Sequence, residues 1–180
     1  LGNGLTYYAQ SNDSPGGNFE VRLVIKAGSL AQAVQDSGIA HFVEHMVFQG
    51  TESFPDGSLM QTLEQLGLDT NGGDINAYTS CDLTVYKFRA TSVEDLDVVL
   101  QVLDSIATTA QFPREKVITE RGVIVEEERL RNTADGMLGQ SFNDMYRAGT
   151  SYEECDTIGS KDKIITTFAS DLQSFYDTWY

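Results

Sequence analysis

The residues best equipped for chemistry fall within five positions. His41 and His45 are the only histidines in 180 residues, and Glu44 stands between them. On a helix, side chains at i and i+4 share a face, roughly 5–6 Å apart at Cβ. Two imidazoles so placed can reach one ion at the zinc–nitrogen distance of about 2.0–2.1 Å. Glu44, three residues after His41, shares that general face. It can approach a water on the metal without taking a coordination position. Phe42, Val43, Met46 and Val47 are apolar, so the helix should be mostly buried. A buried polar triad needs partners, which argues against a helix with two surface histidines and a surface acid.

A hydrolytic zinc site needs three protein ligands and an open position. The third must come from elsewhere, and the acids Glu120, Glu126, Glu127 and Glu128 lie on one long predicted helix. Glu120 and Glu127 are two turns apart and share a face. Glu126 and Glu128 are turned off that face and read as solvated. The spacing leaves both Glu120 and Glu127 as candidates. Cys81 and Cys155 match no metal spacing; a disulfide between them is allowed but not demanded.

Several elements must position these groups. Leu5 to Ala9 reads as a short strand, and Ser11 to Asn18 as a polar turn. Phe19 to Lys26 alternates as a half-buried strand does and ends at Ala27-Gly28-Ser29. Ser37-Gly38 opens the histidine helix, expected to run past Phe48 to Gly50. A second helix covers Ser58 to Leu66, closed by Gly67. Asn71-Gly72-Gly73-Asp74 reads as a loop or bulge. Strands at Ile75 to Thr79 and Leu83 to Arg89 flank a tight Ser80-Cys81-Asp82 connection, as in a hairpin. Ser92 is a candidate N-cap for a helix to about Ala110. Pro113 suits the first turn of the acidic helix, which ends near Arg131. Asp135 to Arg147 and Ser170 onward read as helices. Adjacent strands favour antiparallel pairing, so the expected class is α+β, mainly antiparallel sheet packed against helices.

Bulk composition bounds the partners. The length suits one ordinary domain. A net charge of −15 repels nucleic acid and anionic lipid but tolerates basic or neutral peptides. No apolar run is long enough to span a bilayer. The start lacks both regions of a signal peptide and lacks an initiator Met, so a cut or processed start is expected. The apolar, aromatic helix at Tyr180 is expected to continue into further chain.

The text around these residues resembles the M16 peptidases, the family of pitrilysin, insulin-degrading enzyme and the mitochondrial processing peptidase. His-x-x-Glu-His is the inverzincin order. The matching stretches are Leu1-Gly-Asn-Gly-Leu-Thr-Tyr-Tyr8, Lys26-Ala-Gly-Ser29, Gly38 to Thr51, Asn76-Ala-Tyr-Thr-Ser80 and Glu120 to Glu128. The resemblance implies that residues 1–180 are the N-terminal zinc-binding domain of a longer protein, with a fold like that of LuxS and the processing peptidase. It implies one zinc ion held by His41, His45 and Glu127. Glu127 is preferred because Asp135-Gly-Met137 follows at the family's offset. Glu44 would then be the general base, and Glu120 would support the site by orienting His45. Asn76, Ala77 and Tyr78 would pair with substrate backbone along an edge strand. The implied activity is zinc-dependent endopeptidase cleavage of peptides or small unfolded proteins. The implied partner is a second half, or another subunit, that closes over the substrate, so the isolated piece would be inactive. Compartment is not fixed by the residues; a periplasmic or other extracytoplasmic bacterial location is the preferred expectation. The alternatives are a zinc hydrolase of non-peptide substrates and a non-catalytic M16-like subunit.

Overall fold

A computed structural model describes residues 1–12, 17–33, 37–71 and 73–180. Among these residues, three strands form one antiparallel sheet in the order β1-β3-β2: β1 is Phe19–Ile25, β2 Ile75–Thr79 and β3 Thr84–Ala90. β3 lies in the middle and is the most continuously buried of the three, with Thr84, Val85, Tyr86, Phe88 and Ala90 all buried. The β2–β3 hairpin pairs Thr79 with Thr84 and Ile75 with Phe88. β2 is thereby an edge strand among the described residues.

Among the described residues, seven helices follow in chain order: α1 Ile39–Met46, α2 Ser58–Gln65, α3 Leu96–Thr108, α4 Arg114–Arg131, α5 Ala134–Arg147, α6 Lys161–Thr166 and α7 Ala169–Trp179. α1 and α3 pack on the sheet, while α7 and α4 pack on α1. The core runs through Phe42, Val43 and Met46 of α1, Val99, Val102 and Ile106 of α3, and Leu172, Phe175 and Tyr176 of α7. The α+β class and the antiparallel sheet match the expectation.

Several local expectations need correction. Leu5 to Ala9 forms no strand and its residues are exposed, Tyr8 at 94%. A strand needs a ladder partner, and among the described residues β1 pairs only with β3. The histidine helix ends at Met46 rather than Gly50, because Phe48 and Gln49 bond back to His45 and Met46 in tighter turns. Pro113 sits just before α4 as its cap, not within its first turn. Ser92 caps a short 3-10 turn at Val93–Asp95 that leads into α3. The helix α6 was not expected from the sequence. The turn at 11–18 and the loop at 71–74 fall partly outside the described residues.

Candidate metal centre

α1 is short and buried, and its start is fixed by backbone geometry. Gly38 caps it at φ +91°, a left-handed conformation, and a Cβ there would stand 2.5 Å from the Ile158 carbonyl oxygen. Only glycine fits both demands. From that start, Phe42, Val43 and Met46 enter the core, while His41, Glu44 and His45 turn toward α4 and β2.

α4 presents one stripe to α1. Val117, Glu120 and Ile124 are buried at spacings of three and four, and Glu127 continues the row. Two carboxylates therefore ride on an otherwise apolar seam. Glu126, off the seam, is exposed and paired with Arg129.

The ligand-type atoms of His41, His45 and Glu127 all lie within 4.8 Å of one another. Glu127 Oε2 is 3.3 Å from His45 Nε2 and 3.7 Å from His41 Nε2. Two ligands about 2.0–2.1 Å from one tetrahedral ion stand roughly 3.4 Å apart. Two imidazoles and a carboxylate also form a donor set that zinc accepts. The residues present thus fit a zinc ion.

Glu120 is not turned toward that point. Its Oε1 is 2.9 Å from His45 Nδ1, and its Oε2 accepts a 2.8 Å bond from Gln49 Nε2. Glu44 is buried, and its Oε2 accepts a 2.6 Å hydrogen bond from Thr79 Oγ1 at the end of β2. Glu127 Oε1 pairs with Arg131, one turn further along α4. Nδ1 of His41 is buried with no hydrogen-bond partner among the described residues.

The electrostatics differ from residue to residue. Burial, with the charge of His45 beside it, holds His41 down to about 4. Burial also pulls His45 down, but hydrogen bonds to Glu120 and Glu127 outweigh it and lift the ring to about 9. The bond to His45 lowers Glu127 to about 2 against its own burial. Glu44 is raised by desolvation, which the Thr79 hydrogen bond partly opposes. Without metal, His45 is therefore an imidazolium between two carboxylates, and His41 is neutral.

His41, Glu44, His45, Ala77, Tyr78, Thr79, Glu127, Arg131 and Thr157 line an open cleft of about 280 Å³. Asn76 is exposed on β2 and lies outside this lining. Sequence reasoning passed over Thr79, Gln49, Arg131 and Thr157. One of these had a readable signal: Arg131 stands four residues after Glu127, one helical turn on. Cys81 and Cys155 form a disulfide with a Cα separation of 5.6 Å. It ties the hairpin turn after Thr79 to the loop that carries Thr157.

Comparison with known proteins gives consistent results. The sequence profile of Insulinase (Peptidase family M16) matches residues 7–151. Over 182 aligned residues the chain is 36% identical to the probable zinc protease PqqL of Escherichia coli, covering 100% of this chain and 19% of that protein. Among solved structures, the first half of the periplasmic protease PqqL from Escherichia coli matches with a TM-score of 0.87 at 35% identity, over 92% of this chain and 36% of that one. A variant of the ferredoxin protease FusC in complex with Arabidopsis ferredoxin matches with a TM-score of 0.83 at 31% identity, over 92% of this chain and 18% of that one. The chain spans between 19% and 39% of the length of four zinc-protease relatives that it matches from end to end. No helix among the described residues is long and apolar enough to cross a membrane.

Proposed function

The chain belongs to the insulinase family of peptidases, family M16, and from that premise we propose that residues 1–180 are the zinc-binding domain of a longer endopeptidase. One observation carries the reading: His41, His45 and Glu127 converge within 4.8 Å, with Glu44 in the same cleft beside an open sheet edge. His41, His45 and Glu127 would hold the ion, and Glu120 would orient His45 through Nδ1. A bound zinc supplies Lewis-acid polarisation of the scissile carbonyl and activation of water.

The chain's own residues supply the rest. Thr79 occupies Glu44 Oε2, so Oε1 is the oxygen left for the attacking water. Glu44 takes a proton there and returns it to the leaving amine; its raised proton affinity suits both tasks. β2 offers its free edge to extended peptide backbone, with Ala77 and Tyr78 at the cleft and Asn76 beside them. Main-chain pairing of this kind favours peptides or unfolded segments over small non-peptide substrates.

A further segment of the polypeptide, or a partner subunit, would close the open cleft. A periplasmic or similar oxidising location fits two facts. PqqL of Escherichia coli is a periplasmic protease, and a buried disulfide persists in such compartments. The test is cleavage of a mixed peptide library by the full-length protein before chelation, after chelation and after zinc is restored. Loss and recovery of cleavage support the proposal. Cleavage that survives complete metal removal contradicts it.

A further inference from the structure

We infer that Arg131 is a positioning residue that fixes the ligand pose of Glu127, and that the α4–α5 corner is built to hold Arg131 in place. The inference rests on the reading of Glu127 as a metal ligand. The two oxygens of Glu127 have different neighbours. Oε2 faces the two imidazoles, and Oε1 is taken by the Arg131 guanidinium. A free glutamate on a helix can rotate, exchange its oxygens or swing to solvent. With Oε1 tied, only Oε2 is offered to the cleft.

Neither stability nor bare charge accounts for the Glu127–Arg131 pair. The Arg131 side chain is 56% exposed, and exposed ion pairs add little to stability. As a bare charge it is unfavourable, because a cation beside the cleft repels a divalent ion. Geometry is what the pair contributes.

The corner gives Arg131 a fixed backbone. Arg131 is the last residue of α4, and its carbonyl accepts a 2.9 Å bond from Thr133 N. Thr133 then caps α5, its Oγ1 accepting a 3.2 Å bond from Gly136 N. A Cβ at Gly136 would stand 1.9 Å from the Arg131 carbonyl oxygen. Glycine therefore lets the first turn of α5 lie directly on the Arg131 backbone. This gives a physical reason for the glycine in Asp135-Gly136-Met137.

The experiment is zinc affinity by chelator competition in the full-length protein, with thermal unfolding of the metal-free form alongside. Arg131→Ala should weaken zinc binding roughly tenfold or more, the usual consequence of losing a partner behind a ligand, with no change in metal-free unfolding. Arg131→Gln keeps an N–H donor without the charge and should stay within a few-fold of wild type. Zinc binding by Arg131→Ala that equals or exceeds wild type is what removal of a repelling charge would give, and it overturns the inference. His45→Ala is the control. If wild type binds no zinc, or His45→Ala binds it normally, the ligand assignment has failed and this inference falls with it. If both controls behave, the Arg131 result judges the inference alone.

Discussion

Thr79 Oγ1 donates a 2.6 Å hydrogen bond to Glu44 Oε2, so the last residue of the edge strand grips the acid of the histidine helix. Thr84 Oγ1, 3.4 Å from Thr79 Oγ1, donates its own hydrogen to the Ala27 carbonyl at 3.0 Å. The single hydrogen of Thr79 is thus free for Glu44, and the strand that would carry substrate also holds the carboxylate proposed as the base.

Thr79→Val should therefore lower kcat while leaving zinc content unchanged. A hydrogen bond to a charged group contributes about 1.5–3 kcal/mol, so a loss of roughly tenfold to a hundredfold is expected. Thr79→Ser should restore most of it. Steady-state kinetics on the full-length protein decides, and a valine variant with wild-type kcat would show that the bond does not position Glu44.

Glu120 serves His45 and Gln49, and its oxygens point away from the cleft. Glu120→Ala should weaken zinc binding by about tenfold to a hundredfold through loss of ring orientation, not by loss of a ligand. It also strands a half-buried Nδ1–H, so the metal-free protein should unfold at lower temperature. Chelator competition and thermal melting measure both effects. Unchanged affinity would remove Glu120 from the site.

Zinc binding should depend on pH through His45. In the metal-free protein this ring holds its proton up to about 9, whereas His41 at about 4 and Glu127 at about 2 have already lost theirs. A metal ligand must be deprotonated. Each ion bound at neutral pH should therefore release close to one proton, and apparent affinity should climb with pH until about 9 and then level off. Calorimetry in buffers of different ionisation enthalpy counts the protons. A pH-independent affinity between pH 7 and 9 would contradict this assignment.

Much of the site was legible in the sequence because helical spacing is local. His41, Glu44 and His45 share a face by arithmetic, and Glu120 and Glu127 share one for the same reason. Which of the two acids faces the imidazole Nε2 atoms depends on how α4 lies across α1, and no spacing within either helix contains that. Thr79 was invisible for a related reason: its partner is 35 positions away on another element. The sheet was read well where two strands adjoin in a hairpin. It was misread at Leu5 to Ala9, where apolar character suggested a strand but no ladder partner lies alongside among the described residues. The Cys81–Cys155 pairing was likewise undecidable, because two cysteines 74 residues apart acquire meaning only once the hairpin turn meets the loop before α6.

That disulfide should contribute to stability. Closing a loop of this length restricts the unfolded chain by on the order of 4 kcal/mol in the chain-entropy account. Replacing Cys81 and Cys155 together by Ser should lower the denaturant midpoint of the domain accordingly, and reduction of the wild type should have the same effect. A double variant as stable as the oxidised protein would contradict this.

His41, His45 and Glu127 as the zinc ligands, with Glu44 moving the proton, is the assignment on which the proposed function stands. The most direct measurement is zinc stoichiometry and peptide cleavage on one preparation of full-length Glu44→Gln. The expected result is one zinc per site, as in the wild type, with cleavage abolished. Cleavage at the wild-type rate by a zinc-loaded Glu44→Gln protein would contradict it.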